Sequence, residues 1–172
     1  MPPAADADPI GPNDIPGALA AVPPPQVKTD VKVAFEQSLR MVAGEDVTPL
    51  TRERVWAVLE GGAWQGNISK AARVAAVLVE NAVRHGGPFP DGTISLRIAV
   101  DAESRELILE VEDAFREFPG FPVAAQCSDV VWGRPHGLWW ISHYKGRLAW
   151  TVKTDQDTQT VGKCVQVILP VS

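Results

Sequence analysis

The 172-residue sequence has few of the features that mark disulfide-stabilised, zinc-binding, secreted or membrane-spanning proteins. Its two cysteines, Cys127 and Cys164, belong to no CxxC or Cys/His spacing, which disfavours both a disulfide framework and a zinc site. No run approaches the ~18 apolar residues of a membrane span. The first cation is Lys28, so the chain does not open with the basic region of a secretory signal. These absences predict a cytoplasmic protein with reduced thiols and no membrane partner.

Positive charge is also scarce. The chain has 16 lysines and arginines against 21 aspartates and glutamates, a net charge of −5. Nucleic-acid binding leaves a basic footprint, so we expect no nucleic-acid partner. The hydrophobic share of 45% and the charged share of 22% are typical of globular proteins. The length allows one domain with a real core but not two.

Proline separates the N-terminus from the rest of the chain. Eight of the fifteen prolines lie in residues 1–27. Each one removes a backbone donor and opposes helix formation, which predicts a disordered or extended tail. Residues 28–172 then form the single predicted domain.

Apolar periodicity divides this domain into helices and strands. Residues 28–42 fit a helix, although a strand beginning at Val31 is also compatible with their pattern. Thr51 and Ser69 are the expected N-caps of two helices, and the second helix covers residues 70–85 and stops at Gly86-Gly87-Pro88. The remaining pattern predicts a short helix over 138–145, a long irregular segment over 114–136, and strands over 93–101, 106–113, 147–153 and 161–169. This order predicts a two-layer α/β sandwich, with helices on one face of a mixed or antiparallel sheet.

The helix over 70–85 carries the first candidate residues. On a helical wheel its small residues fill one broad side that can press closely onto a sheet. Glu80, Asn81 and His85 lie on the other side, with Val74 and Val77 set among the polar residues. One interpretation is a solvated face, helped by an i,i+4 pair from Glu80 to Arg84. The other is a binding site.

Asp113 is the second candidate. Strand periodicity places it on the face that meets the core, where an unpaired polar group costs on the order of 2–7 kcal/mol. Either the strand ends at Glu112 and Asp113 caps a turn, or Asp113 is a buried acceptor for an external donor such as the amino group of a purine. Gly137 precedes a helix whose first amides could meet an anion. Lys163, on the last strand, is by default solvated.

Aromatic residues crowd the short helix. At helical spacing, Trp140 and Tyr144 share one side and Trp139 points elsewhere. The pair therefore belongs to the core, or else an exposed aromatic anchors an interface.

Together, these segments resemble the Bergerat-type ATP-binding superfamily (GHKL, histidine-kinase-like), which includes gyrase, heat-shock chaperones, sensor histidine kinases and anti-sigma-factor serine kinases. "LVENAVRHG" is similar to the N box, "LEVED" to the first glycine box without its glycines, and "RPHGL" to part of the second. The ending "GKCVQVILP" resembles that of small actinobacterial anti-sigma-like members. The resemblance covers roughly residues 51–170.

The resemblance implies a set of ligand contacts. Asn81 would coordinate Mg²⁺ on the phosphates of ATP, and an amide oxygen suits such a hard cation. Asp113 would accept the hydrogen bond of the adenine amino group, and residues 114–136 would form a lid. The other positions carried over as nucleotide-binding are His85 and Gly86, expected to act through their backbone, together with Gly133, Gly137, Leu138 and Lys163.

The sequence departs from the superfamily where chemistry is needed. Four residues before Asn81, the serine kinases have an activating glutamate, and this chain has Val77. Valine can neither accept a proton nor orient a hydroxyl, and Glu80 lies roughly 60° further around the helix. The glycines after Asp113 are missing, and Pro135 replaces another. These departures predict weak or absent binding of ATP and Mg²⁺, and weak or lost phosphoryl transfer.

Three functions follow from the resemblance. The first is an anti-sigma-like regulator that acts by binding a protein, either a sigma factor or an anti-anti-sigma-like regulator, with a homodimer left open. The second is an active ATP-dependent serine kinase. The third is a histidine-kinase or phosphotransfer fragment, which needs a phosphorylatable histidine on an N-terminal helix. The histidines here are His85, His136 and His143.

Overall fold

A computed structural model of the chain describes residues 26–117, 137–155 and 160–172. The described strands are β1 (Val33–Val42), β2 (Thr93–Asp101), β3 (Leu107–Asp113), β4 (Arg147–Thr154) and β5 (Thr160–Leu169). The described helices are α1 (Val47–Glu60), α2 (Ile68–Asn81), continued by a π-helical turn over Ala82–Gly86, and α3 (Trp139–His143). The predicted tail over 1–27 falls almost wholly outside the described residues.

The five strands form one sheet in the order β1-β2-β3-β5-β4, and every neighbouring pair is antiparallel. Helices α1 and α2 pack against each other, and their apolar faces join the inner face of this sheet in one core. The protein is therefore a two-layer α/β sandwich, as the sequence predicts, with an antiparallel sheet.

Strand alternation and small helical residues together build the core. Leu96 and Ile98 of β2 and Leu109 of β3 are fully buried on the inner face. Burying one such side chain contributes about 1.5–3 kcal/mol to folding. On α2, Ala71 and Ala75 are also fully buried, and their small side chains allow the helix to approach its neighbours closely.

The helix-like interpretation of residues 28–42 is wrong, because this segment contains the edge strand β1. Phe35, Leu39 and Met41 also fit a period of two, and all three pack into or against the core. Met41 lies opposite Ile94 of β2. Pairing with β2 brings these alternate side chains onto the core, so tertiary pairing decides between the two patterns.

Both predicted helix starts are displaced. Helix α1 begins at Val47, so Thr51 is a buried interior residue whose hydroxyl donates to the Val47 carbonyl oxygen over 2.6 Å. Helix α2 is capped by Asn67 and not by Ser69, because the Asn67 side chain accepts a hydrogen bond of 3.0 Å from the Lys70 amide. Asparagine and serine are comparable caps, so sequence alone does not choose between them.

The outer face of the sheet carries a polar network and anchors the start of the described chain. Arg97 pairs with Glu36 and Glu110, at 2.6 and 2.8 Å. The Gln166 side chain donates to Glu110 and to the Lys28 carbonyl oxygen, and accepts from the Lys28 amide. The Lys28 ammonium also pairs with Asp101 and holds the pKa of that carboxyl below its ordinary value. The segment that follows the tail is therefore tied to the outer face.

None of the helices in the described ranges is long and apolar enough to cross a bilayer.

Candidate functional site

The end of α2 widens into a π-helical turn. The regular helix runs to Asn81, and the Gly87 amide then bonds to the Ala82 carbonyl oxygen over 2.6 Å, five residues back. Gly87 has a φ of 88°, which favours glycine and ends the helix. The predicted helix and its glycine stop are confirmed, and the π turn is an addition that the sequence did not signal. Such turns are frequent at functional sites.

This turn presses directly on Asp113. A Cβ added to Gly86 would overlap the Asp113 carboxyl group, so the backbone of the turn lies against that side chain. The Ala114 amide also donates to the Gly87 carbonyl oxygen over 3.1 Å. Strand β3 continues through Asp113, which is 1% exposed. Asp113 is thus an inward-facing strand residue, and its Oδ1 also caps the following turn by accepting from the Phe115 amide at 2.9 Å.

Lys163 is buried, so its expected place in solvent is wrong. It lies directly opposite Asp113 in the pairing of β3 with β5, and its ammonium donates to Asp113 Oδ1 over 2.8 Å. The inward alternation that buries Val165 and Val167 also places Lys163 on the core face. That alternation could have revealed the buried position from sequence; the partner could not be read without the strand register.

Burial dominates the electrostatics of Asp113. Burial raises the pKa of its carboxyl group, and this effect outweighs the lowering by the Lys163 ammonium and by the Phe115 amide. Its Oδ2 atom is buried and has no hydrogen-bond partner among the described residues. The side chain therefore presents one satisfied oxygen and one unsatisfied acceptor.

Asn81, Val77 and Gly137 form a second group, at the start of α3. A Cβ added to Gly137 would lie 3.0 Å from Val77 Cγ1 and 3.9 Å from Asn81 Nδ2. Gly137 therefore approaches the side of α2 that carries both residues. The helical wheel is wrong for Val77 and Val74, which are buried at 8% and 0% exposure. Helix α2 packs against α1, the sheet and α3, so its buried surface is wider than a single stripe.

Glu80 and the polar residues of the π-helical turn that follow it lie closer to solvent. Glu80 pairs with Arg84 over 2.7 Å, which confirms the predicted i,i+4 contact. This pairing directs the Glu80 carboxylate along the helix surface toward an exposed cation. His85 is exposed, and the backbone of the adjoining Gly86 lies against the Asp113 carboxyl group.

Helix α3 is shorter than predicted, and its aromatic side chains form a cluster with Tyr144. Trp140 and Tyr144 share a side, with ring centroids 5.5 Å apart, as their spacing predicts. Trp139 stacks on His143 at 4.4 Å. The Arg73 guanidinium lies 4.3 Å from the Trp140 ring centroid, a cation–π contact between α2 and α3. Trp139, Trp140 and Tyr144 are half-buried, so they are neither full core residues nor fully exposed interface residues.

Part of the predicted site lies outside the described residues: Gly133, Pro135 and His136, with residues 118–136 of the predicted lid. Leu138 is described and packs against the core. Among the described residues, no three His, Cys, Asp or Glu side chains come together as a metal site. Asn81 is then the sole predicted protein ligand for a metal ion here.

The close contact of Gly86 with Asp113 has a measurable consequence. We expect Gly86→Ala to lower the free energy of unfolding by about 1–3 kcal/mol, because its methyl group must displace either the turn or the carboxylate. Gly44→Ala is the matched control, since a Cβ there meets nothing within 4 Å. Urea unfolding of both variants measures the difference. Equal stability of the two variants would show that the turn does not press on Asp113.

No protein-family model and no curated protein matches this sequence. Among solved structures, the chain is similar to a histidine kinase domain from Erythrobacter litoralis EL346 blue-light activated histidine kinase. The identity is 16% and the TM-score 0.41, over 75% of this chain. The match spans 64% of the length of that domain. The assignment of the fold rests on the strand order and helix packing described above.

Proposed function

We propose that this chain is a regulatory protein-binding module on a Bergerat-type scaffold, in which phosphoryl transfer has been lost. The observation that carries the proposal is Val77, which lies beside Asn81 and against Gly137 where a kinase of this type needs a carboxylate. A valine side chain supplies no base to the attacking hydroxyl.

The purine end of a nucleotide fits the residues present better than the phosphate end. The buried, unsatisfied Oδ2 of Asp113 is an acceptor of the kind that an adenine amino group would meet. However, Oδ1 is already bound to Lys163 and to the Phe115 amide, and Gly86 closes one side of the carboxylate. The protein's own donors therefore already make much of the hydrogen bonding that a nucleotide would otherwise offer to the Asp113 carboxylate.

Within the described residues, the phosphate end offers neither a second predicted metal ligand nor a strong helix dipole. Asn81 is half-buried and could offer one amide oxygen to Mg²⁺. Helix α3, behind Gly137, has only five residues, so few aligned peptide dipoles contribute at its start. The Glu80 carboxylate pairs with Arg84 along the helix surface. These contacts support weak nucleotide binding without catalysis.

The partner suggested by the sequence resemblance is a sigma factor or an anti-anti-sigma-like regulator. A non-catalytic module should hold this partner through its surface, independently of the nucleotide. We therefore expect complex formation to need neither ATP nor an intact Asn81.

Size-exclusion chromatography with purified candidate partners tests the proposal, with and without ATP and Mg²⁺. The expected result is a complex that elutes identically in both conditions and with the Asn81→Ala variant. A complex that forms only with ATP and Mg²⁺, or a partner that leaves the column phosphorylated, would refute the proposal and favour the serine kinase. Calorimetry of the isolated chain with ATP adds a separate check, because Mg²⁺ should leave any affinity nearly unchanged.

A further inference from the structure

A groove of about 330 Å³ lies away from the Asp113 and Asn81 groups, at the opposite end of α2. One wall contains Trp64, which is buried and whose indole nitrogen donates to the Arg105 carbonyl oxygen over 3.1 Å. The other walls are formed by the end of α3 and by the segment after β5. The lining comprises Trp64, Asn67, Lys70, His143, Tyr144, Lys145 and residues 169–172.

Two of the side chains that line the groove are cations. Lys70 and Lys145 line it, and no lining residue is an aspartate or a glutamate. The Lys70 ammonium lies 5.3 Å from the Tyr144 ring centroid. Lys145 has a φ of 57°, in the left-handed region that favours glycine, yet the position holds an exposed lysine. The groove therefore suits an acidic segment with some apolar side chains.

The N-terminal tail has that chemistry. Residues 1–25 contain Asp6, Asp8 and Asp14 and no lysine, arginine or histidine, and isoleucines and leucine are interspersed with the prolines. Its frequent prolines favour an extended chain, which can lie in a groove without first unfolding a helix.

The tail joins the described chain beside β5, the strand whose last residue lines the groove. Gln26, the first described residue, lines a cavity with Ile168 on the outer side of β5. The next residue of that strand, Leu169, lines the groove. Hydrogen bonds between Lys28 and Gln166 fix this exit point. Eleven residues lie between Asp14 and Gln26, and an extended chain covers up to ~3.3–3.6 Å per residue, so Asp14 can reach as far as about 40 Å from Gln26.

We infer that residues 1–25 dock in this groove of their own chain, with their aspartates against Lys70 and Lys145. Because the linkage is short, the local concentration of the tail is in the millimolar range, and weak contacts are enough to populate the docked state. The docked tail covers Lys70, in the first turn of α2, and Lys145, just after α3, and competes there with any acidic segment of another protein.

A spin label on the tail of the full-length chain tests the inference. Ala7→Cys places the label between Asp6 and Asp8, and Cys127→Ser removes a native thiol. Cys164 stays unlabelled, since it is buried and burial raises the pKa of its thiol to about 12. The expected result is paramagnetic broadening of the amide signals of Asn67, Lys70 and Lys145.

Two sets of variants separate docking from chance proximity. Lys145→Gly combined with Lys70→Gln removes both cations, and glycine suits the left-handed backbone at residue 145, so folding is preserved. Neutralising the tail with Asp6→Asn, Asp8→Asn and Asp14→Asn is the reciprocal change. Each set removes about two exposed ion pairs and should reduce the docked-to-free ratio by roughly three- to tenfold.

Broadening that is absent from the groove, or that is concentrated at Arg147 on the outer face, would overturn the inference. Broadening that stays unchanged in both sets of variants would overturn it as well, because it would not depend on these charges. Loss of broadening in both sets, with the amide spectrum otherwise unchanged, supports tail docking.

Discussion

Replacing Lys163 by methionine should lower the free energy of unfolding by about 3–5 kcal/mol, because it leaves the buried Asp113 carboxylate without its cation. The pair spans two adjacent strands, and both side chains are almost fully buried. Urea unfolding at neutral pH measures the loss.

The pH dependence of that loss has a definite sign. Burial already raises the pKa of Asp113, and without the Lys163 ammonium it should rise further. An acid whose pKa is higher in the folded state binds its proton more tightly in that state. The loss of unfolding free energy in the variant is therefore largest at pH values above the raised pKa, where the buried carboxylate is ionised. The deficit should therefore shrink as the pH falls toward the pKa of an unfolded aspartate, about 3.9.

A double variant controls for the change in volume. Asp113→Leu combined with Lys163→Met replaces the pair by apolar side chains of similar size and should recover most of the stability lost in Lys163→Met. If the single and double variants are equally unstable, packing at residue 163 accounts for the loss. A Lys163→Met variant as stable as the parent would contradict the buried pair altogether.

The sequence predicts those parts of the site that depend on local periodicity. The spacing of apolar residues in α2 and β3 correctly gives the helix that bears Asn81, the inward direction of Asp113 and the pairing of Glu80 with Arg84. Each of these features is decided within one helix or strand, by a period of 3.6 or two residues.

The features that the sequence misses depend on partners distant along the chain. Lys163 is buried because β5 brings it opposite Asp113, fifty residues earlier. Residues 33–42 form a strand because β2 supplies a pairing edge, although part of their pattern also fits a helix. Val77 is buried because Gly137 and α3 lie over a side of α2 that the wheel assigns to solvent. Local pattern carries no information about such contacts.

Restoring a carboxylate at position 77 should produce phosphoryl transfer if the missing base is what prevents it. A group that orients or deprotonates the nucleophile is typically worth ~10²–10⁴ in rate. We therefore expect Val77→Glu to raise ATP turnover by a factor in that range, provided that nucleotide binds. Release of phosphate from ATP in the presence of Mg²⁺ measures the change.

Val77→Gln is the matched control, because it has nearly the same size and shape but cannot accept a proton. Both variants place a polar group at a position that is 8% exposed, so unfolding curves must show that each one folds. Turnover that rises equally in Val77→Gln and Val77→Glu would show that the gain does not come from a restored base. No gain in a folded, nucleotide-binding Val77→Glu variant would show that Val77 alone does not explain the loss.

The most direct test of the central claim is phosphoryl transfer by the unmodified chain. Purified protein is incubated with γ-labelled ATP, Mg²⁺ and candidate partner proteins, and labelled phosphate is measured on each protein and in solution. We expect no transfer above that of the Asn81→Ala variant, because Val77 offers no base and Glu80 is paired with Arg84. Robust labelling of a partner by the unmodified chain, abolished by Asn81→Ala, would contradict this account and identify the protein as an active kinase.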